Sequence, residues 1–300
     1  TTEIYTLSLH DALPISVSML KVSHLSHSFG AHWALKNVSF SLEKGEFLFL
    51  SGPSGAGKTT LLRLLHGALP VQRGAASVAG FDLTRLSGRT VPLLRRQVSV
   101  VFQDFKILPE RSVYANVALP LEVRGLAPQH IGRRVRAVVR ALGLENRLDT
   151  PGGELSGGEQ QRVAVARSIV VNPQVLLADE PTGNLDPELS LRLMDIFMQF
   201  HAYGTTVVLA THSPELIRRH PDARLLRLDD GMITHANWPG GEVFRCADGG
   251  LHLGDGSGNS MDPCGLDAPG IPGGSGNSGN SGDDGNSTGG SGNPDGRLSL

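Results

Sequence analysis

The chain has 300 residues, 39 % of them hydrophobic, and a formal net charge of −2, enough apolar material for a sizeable core. No stretch approaches the ~18 consecutive apolar residues of a membrane span, and the only cysteines, Cys246 and Cys264, leave the body without a disulfide scaffold or a cysteine zinc site. Residues 239–300 hold two arginines against eight carboxylates, net −6, so the body stands at +4, too little to argue for a nucleic-acid partner, and none is expected.

At the amino end, Thr6–Ile15 resembles an in-frame translation of a short-read sequencing adapter, so residues 1–18 are expected to be a non-native extension ahead of Met19. No Lys or Arg precedes their modest apolar stretch, which argues against a signal peptide. From Met19 the pattern alternates between short apolar runs and helical spacing, which predicts an α/β fold. Strands are expected over Leu20–Leu25, Val38–Leu42, Phe47–Leu50, Ala76–Val78, Val98–Phe102, Val175–Ala178 and Thr206–Ala210. From Leu108 to about Val170 the pattern is helical, with an amphipathic stretch over Ile131–Val139. Leu189, Leu193, Ile196, Phe197 and Phe200 recur at helical spacing and read as core. After Trp238 the sequence turns Gly-, Ser-, Asn- and Asp-rich, and 239–300 is expected to be disordered.

Gly52-Pro53-Ser54-Gly55-Ala56-Gly57-Lys58-Thr59 matches G-x-x-x-x-G-K-[ST], with a buried strand before it and a helix beginning near Thr60. Glycines let successive backbone N–H groups wrap a polyphosphate, and the helix adds its positive end. Lys58 would then reach the β- and γ-phosphates of ATP or GTP, and the Thr59 hydroxyl would ligate Mg2+.

Other polar residues follow predicted strands: Gln103 after Val98–Phe102, Asp179 and Glu180 after Val175–Ala178, and His212 after Thr206–Ala210. In an open parallel sheet, ligands bind beyond the carboxyl ends of the strands. Asp179 suits the metal beside Thr59, and Glu180 suits the polarisation of an attacking water. His212 could bond the γ-phosphate or the water, and Gln103 could touch both metal and water.

The octapeptide Leu155-Ser156-Gly157-Gly158-Glu159-Gln160-Gln161-Arg162 opens a further helix, expected over Gln160–Val170, and offers a second anion site at its start. With it, residues 20–236 resemble the ABC ATPase family. Phe29 occupies the adenine-stacking position, where tyrosine is commoner, and Gly183-Asn184-Leu185-Asp186 matches the family's D-loop. The resemblance implies a P-loop NTPase with a mainly parallel core sheet, an antiparallel β subdomain and a helical subdomain over about 104–168. It also implies Mg-dependent ATP hydrolysis in a head-to-tail pair with a second copy of the chain. Each ATP would then meet Phe29, residues 52–60 including Thr60, and the Ser156, Gly157, Gly158, Gln160 and Asp186 of the other copy.

Within the family, Val91–Gln97, Val101–Asp104 and Arg111–Ala118 resemble the branch that acts in bacterial cell division. This implies an integral membrane partner, a place on the cytoplasmic side of the inner membrane and control of septal cell-wall hydrolysis. Residues 178–186 are equally similar to lipoprotein-releasing and macrolide-export ATPases. A soluble ABC protein acting on nucleic acid or ribosomes, or a scaffold with a vestigial site, is the reading from another class; one cassette without sustained heptads and a full set of catalytic positions argue against it. With no lipid-binding helix expected, membrane contact is assigned to the partner, through Phe105, Ile107, Leu108 and Val113.

Overall fold

The computed structural model describes residues 18–102, 104–183 and 185–237, together with the backbone of two short later strands. All of these lie in the first of two units into which the chain divides, 1–263. Gln103 and Asn184 fall outside the described residues, as do most of the amino-terminal extension and of the tail.

In chain order the strands and α-helices are β1 (Ser18–Phe29), β2 (His32–Glu43), β3 (Phe47–Ser51), α1 (Lys58–Leu65), β4 (Arg73–Val78), β5 (Phe81–Asp82), α2 (Val91–Gln97) and β6 (Val98–Val101). There follow α3 (Val113–Val123), α4 (Pro128–Ala141), α5 (Gly157–Ile169), β7 (Val175–Asp179), α6 (Pro187–Ala202), β8 (Thr206–Ala210), α7 (Pro214–Arg218), β9 (Arg224–Asp229) and β10 (Met232–Ala236). Within the tail expected to be disordered, β11 (Val243–Arg245) and β12 (Leu251–Leu253) pair antiparallel, Val243 opposite Leu253.

The central sheet has the order β10-β9-β3-β8-β7-β6 and is parallel except for the edge strand β10. Strands β3, β7 and β8 bury both faces, which is why they read as continuous apolar runs. Phe47, Phe49, Leu176, Ala178, Val207 and Leu209 point into a core shared with α3 to α6. Their alternates Leu48, Leu50, Val175, Leu177, Val208 and Ala210 point into a second core shared with β1, β2 and α1. Burying one such Leu contributes about 1.5–3 kcal/mol. The antiparallel sheet, order β2-β1-β4-β5, covers that second face.

Helices α3, α4 and α5 form the helical layer, and their boundaries refine the sequence reading. Helix α5 starts at Gly157 rather than Gln160 because Ser156 and Glu159 close a reciprocal capping box that starts the helix despite its two glycines. Asn116, fully buried on α3, accepts from Leu108 N at 2.8 Å and donates to the carbonyls of Leu108, Arg111 and Ser112 at 2.9–3.0 Å. The chain before α3 is therefore a fixed loop rather than helix. Val113, expected to face a partner, is fully buried in the core, while Phe105, Ile107 and Leu108 are half-buried.

Candidate functional site

The strand order brings the ends of β3, β7 and β8 together, since β8 lies between the other two, and the register sets Asp179 beside Ala210. Residues Gly52–Gly57 leave β3 at this edge and return into α1 at Lys58. Two glycines are obligatory here. A Cβ on Gly52, φ 143°, would stand 2.1 Å from the Leu228 carbonyl oxygen, and one on Gly57, φ 101°, would stand 2.4 Å from that of Ala34. Gly55 is also left-handed, at φ 82°, so the loop curls with its backbone drawn inward. Pro53 and Ser54 complete the curl, Ala56 packs into the core, and Thr60 lies in the first turn of α1.

Lys58 is 7 % exposed, and its ammonium donates to the carbonyls of Gly52 at 2.8 Å and Pro53 at 3.0 Å. Glu180 Oε1 lies 3.7 Å from the same Nζ, and Glu180 Oε2 pairs with His212 Nδ1. Glu180 holds φ at +51°, an uncommon value for a residue with a side chain, at the position where β7 ends. Lysine from the start of α1, and glutamate and histidine from just beyond the ends of β7 and β8, thus form one contiguous chain of contacts.

Asp179 is 5 % exposed, and its Oδ1 is buried without a hydrogen-bond partner. Burial pushes its carboxyl above the usual carboxylate range, neighbouring Glu180 pushes it further, and the Thr59 hydroxyl, Lys58 and Arg63 oppose this. A buried carboxylate with an unsatisfied oxygen beside a threonine hydroxyl is the donor set a hard divalent cation takes. The residues present therefore fit Mg2+ at Thr59 and Asp179, and the curled loop fits a polyphosphate. Gln103, expected at metal and water, lies outside the described residues, as does Asn184 of the D-loop match.

The remaining expected nucleotide contacts stand apart from this cluster. Phe29 ends β1 half-exposed, its ring edge-on to His27 at 4.9 Å. Ser156, Gly157 and Gly158 open α5, and among the described residues no hydrogen bond or ion pair joins them to residues 52–60. Gln160 is engaged locally: its amide donates to the carbonyls of Gly152 at 3.1 Å and Leu155 at 3.2 Å. Asp186 caps α6, accepting from Leu189 N at 2.9 Å. Sequence reasoning missed Arg167 on α5, whose guanidinium donates to the carbonyls of Phe105 at 2.8 Å and Lys106 at 2.7 Å, both residues at positive φ. It also missed Gln161, whose amide donates to the Pro181 carbonyl and ties α5 to the segment after Glu180.

Comparison with known proteins agrees with this geometry. The ABC transporter family model matches residues 35–183. The cell division ATP-binding protein FtsE of Streptococcus pneumoniae is 46 % identical over 203 residues, 67 % of this chain and 87 % of that protein. FtsE of Escherichia coli is 46 % identical over 216 residues, 72 % of this chain and 97 % of that protein. A dimeric ATP-binding cassette solved in a post-hydrolysis state bound to ADP and Pi superposes with a TM-score of 0.68 at 30 % identity, covering 73 % of this chain and 98 % of that one. On these matches, and with the P-loop fold and the site just described, the chain belongs to the ABC transporter family of ATP-binding proteins and, within it, to the cell division ATP-binding proteins FtsE.

Proposed function

We propose that this chain is the ATP-hydrolysing subunit of a bacterial cell-division complex. It works as a head-to-tail pair, with an integral membrane partner of FtsX type, on the cytoplasmic side of the inner membrane, and its turnover controls septal cell-wall hydrolysis. The observation that carries the reading is the contact chain Lys58–Glu180–His212 at the ends of α1, β7 and β8. It is supported by relatives that are cell division proteins and by a structural neighbour solved as a dimer with ADP and Pi.

The chemistry follows from these positions. ATP enters with its phosphates in the curl of residues 52–57, and the Lys58 ammonium transfers from the Gly52 and Pro53 carbonyls to β- and γ-phosphate oxygens. Glu180 orients a water in line with the γ-phosphorus and accepts its proton as the new P–O bond forms. The bond to the bridging oxygen breaks, and ADP leaves with that electron pair. His212 holds the Glu180 carboxylate in place through Nδ1. Thr59 and Asp179, with Gln103, would hold Mg2+, which would supply positive charge to the phosphates. The second copy contributes Ser156–Gly158 at the start of its α5, which explains why these residues make no bond to their own phosphate loop. The Phe105–Leu108 segment, half-buried at Phe105, Ile107 and Leu108 and held by Arg167, is where the membrane partner would feel that closure.

Trans-complementation tests this. Lys58→Ala removes the phosphate cation, and Gly157→Asp places a carboxylate at the start of α5, where a Cβ meets nothing within 4 Å, so the fold is kept. Each variant is expected to be inactive alone. Mixed under subunit exchange they should recover at most about a quarter of wild-type ATPase, because half the dimers then contain one intact site of two. No recovery, with mixed dimers shown to form, would contradict the shared site.

A further inference from the structure

Helix α4 has two faces of opposite character. Ile131, Val135 and Val139 are buried in the helical core. The opposite side carries His130, Arg133, Arg134, Arg136 and Arg140, all exposed, and the helix has no acidic residue in its 14 positions. Among the described residues no ion pair involves α4. The positive field extends past the helix. Arg124, just after α3, is held below its ordinary value first by burial and then by Arg96 of α2 and Arg134 of α4. A balanced surface helix would carry i, i+4 acid–base pairs, as α6 does with Glu188 and Arg192 at 2.6 Å. Helix α4 leaves its arginines unneutralised instead.

We propose that this face of α4 docks on an anionic lipid surface. The apolar side of the helix is committed to the core, so the contact is electrostatic adhesion rather than insertion. Arginine suits it, because the planar guanidinium fork pairs two oxygens of a phosphate, and the cationic side chains here are arginines without lysine. From His130 to Arg140 the helix rises about 15 Å, so the cations share one extended face. At the end of α3, just before α4 in the chain, Val123 is 72 % exposed, an apolar side chain that a bilayer interface accepts. The inference replaces the sequence-based expectation that membrane contact comes from the partner alone. It rests on α4 itself and not on the proposed ATPase cycle.

The test is co-sedimentation of the full chain with vesicles containing phosphatidylglycerol, against pure phosphatidylcholine vesicles. Wild type should bind the anionic vesicles, lose them as salt is raised, and ignore the neutral ones. The triple variant Arg133→Gln, Arg134→Gln, Arg140→Gln should bind at least about tenfold more weakly, and the Arg→Lys triple should keep most of the binding. ATP hydrolysis in solution should be unchanged in both, which also reports correct folding and keeps this test separate from that of the proposed function. Equal binding by wild type and the Gln triple, or no preference for anionic vesicles, would overturn the proposal. So would binding of DNA or polyglutamate through these arginines with none to the vesicles.

Discussion

Arg167 reaches from α5, the helix opened by Ser156, to the backbone of Phe105 and donates to its carbonyl at 2.8 Å. With the companion bond to Lys106 it fixes two residues that both sit at positive φ, an arrangement neither would hold alone. Arg167 thus links the helix opened by the Ser156 turn to the Phe105–Lys106 segment, the two places proposed above for contact with a second copy and with a membrane partner. Burial pulls its guanidinium below the ordinary arginine value.

Arg167→Ala should destabilise the isolated chain by about 1.5–3 kcal/mol, the range for hydrogen bonds from a charged donor. Urea unfolding measures this directly. ATP affinity should stay within about twofold of wild type, because Arg167 touches no residue of the phosphate loop. A fall in affinity matching the loss of stability would place Arg167 in the nucleotide site.

Asp179 carries an energetic cost in the free protein, the cost expected of the proposed metal ligand. Its carboxyl is raised chiefly by burial, so the folded protein keeps a proton that the unfolded chain has released. Stability without nucleotide or metal therefore falls as pH rises from the ordinary carboxylate range through the raised value, and the whole penalty is present above it. Asp179→Asn should raise the thermal midpoint at neutral pH by a few degrees in the presence of a chelator while abolishing ATP turnover. A lowered midpoint would mean that the carboxylate is satisfied in the free protein.

His66, at the end of α1, is pushed down to about 4, first by burial and then by Arg95, and its Nδ1 is buried without a partner. It lies edge-on to Phe102 at 5.9 Å. Here the unfolded chain binds the proton more readily, so the contribution is complete above about pH 6.5 and is lost as pH falls toward about 4. Urea midpoints compared at about pH 7 and about pH 4.5 should drop in wild type and drop less in His66→Leu. Equal drops would remove His66 from the acid response.

The phosphate loop, the three strand ends and the Ser156 turn were legible because each is a local string whose chemistry needs a fixed spacing. The parallel core strands were legible because burial on both faces leaves no alternation to misread. Other parts were not. Helix α2 begins with Val91-Pro92 and carries Arg95 and Arg96, which reads as a loop until Leu94 is seen fully buried. Strand β10 lies at the sheet edge with β9 beside it, and the two carry Arg224, Arg227, Thr234 and His235 among their apolar residues, so they escaped. Val113 looked available in the sequence and is core, since only the fold shows which side of a short helix is covered. The bonds of Asn116, Gln161 and Arg167 join segments from 4 to 62 residues apart, and no local pattern announces them.

The central claim, that Glu180 polarises the attacking water from a site also holding Lys58 and His212, is tested most directly by single-turnover ATP hydrolysis in Glu180→Gln. Glutamine keeps the size and the hydrogen bonding but cannot take the proton. The rate should fall by about 10²-fold or more while ATP remains bound and the nucleotide-bound dimer accumulates. Hydrolysis at the wild-type rate, with ATP bound normally, would contradict the account.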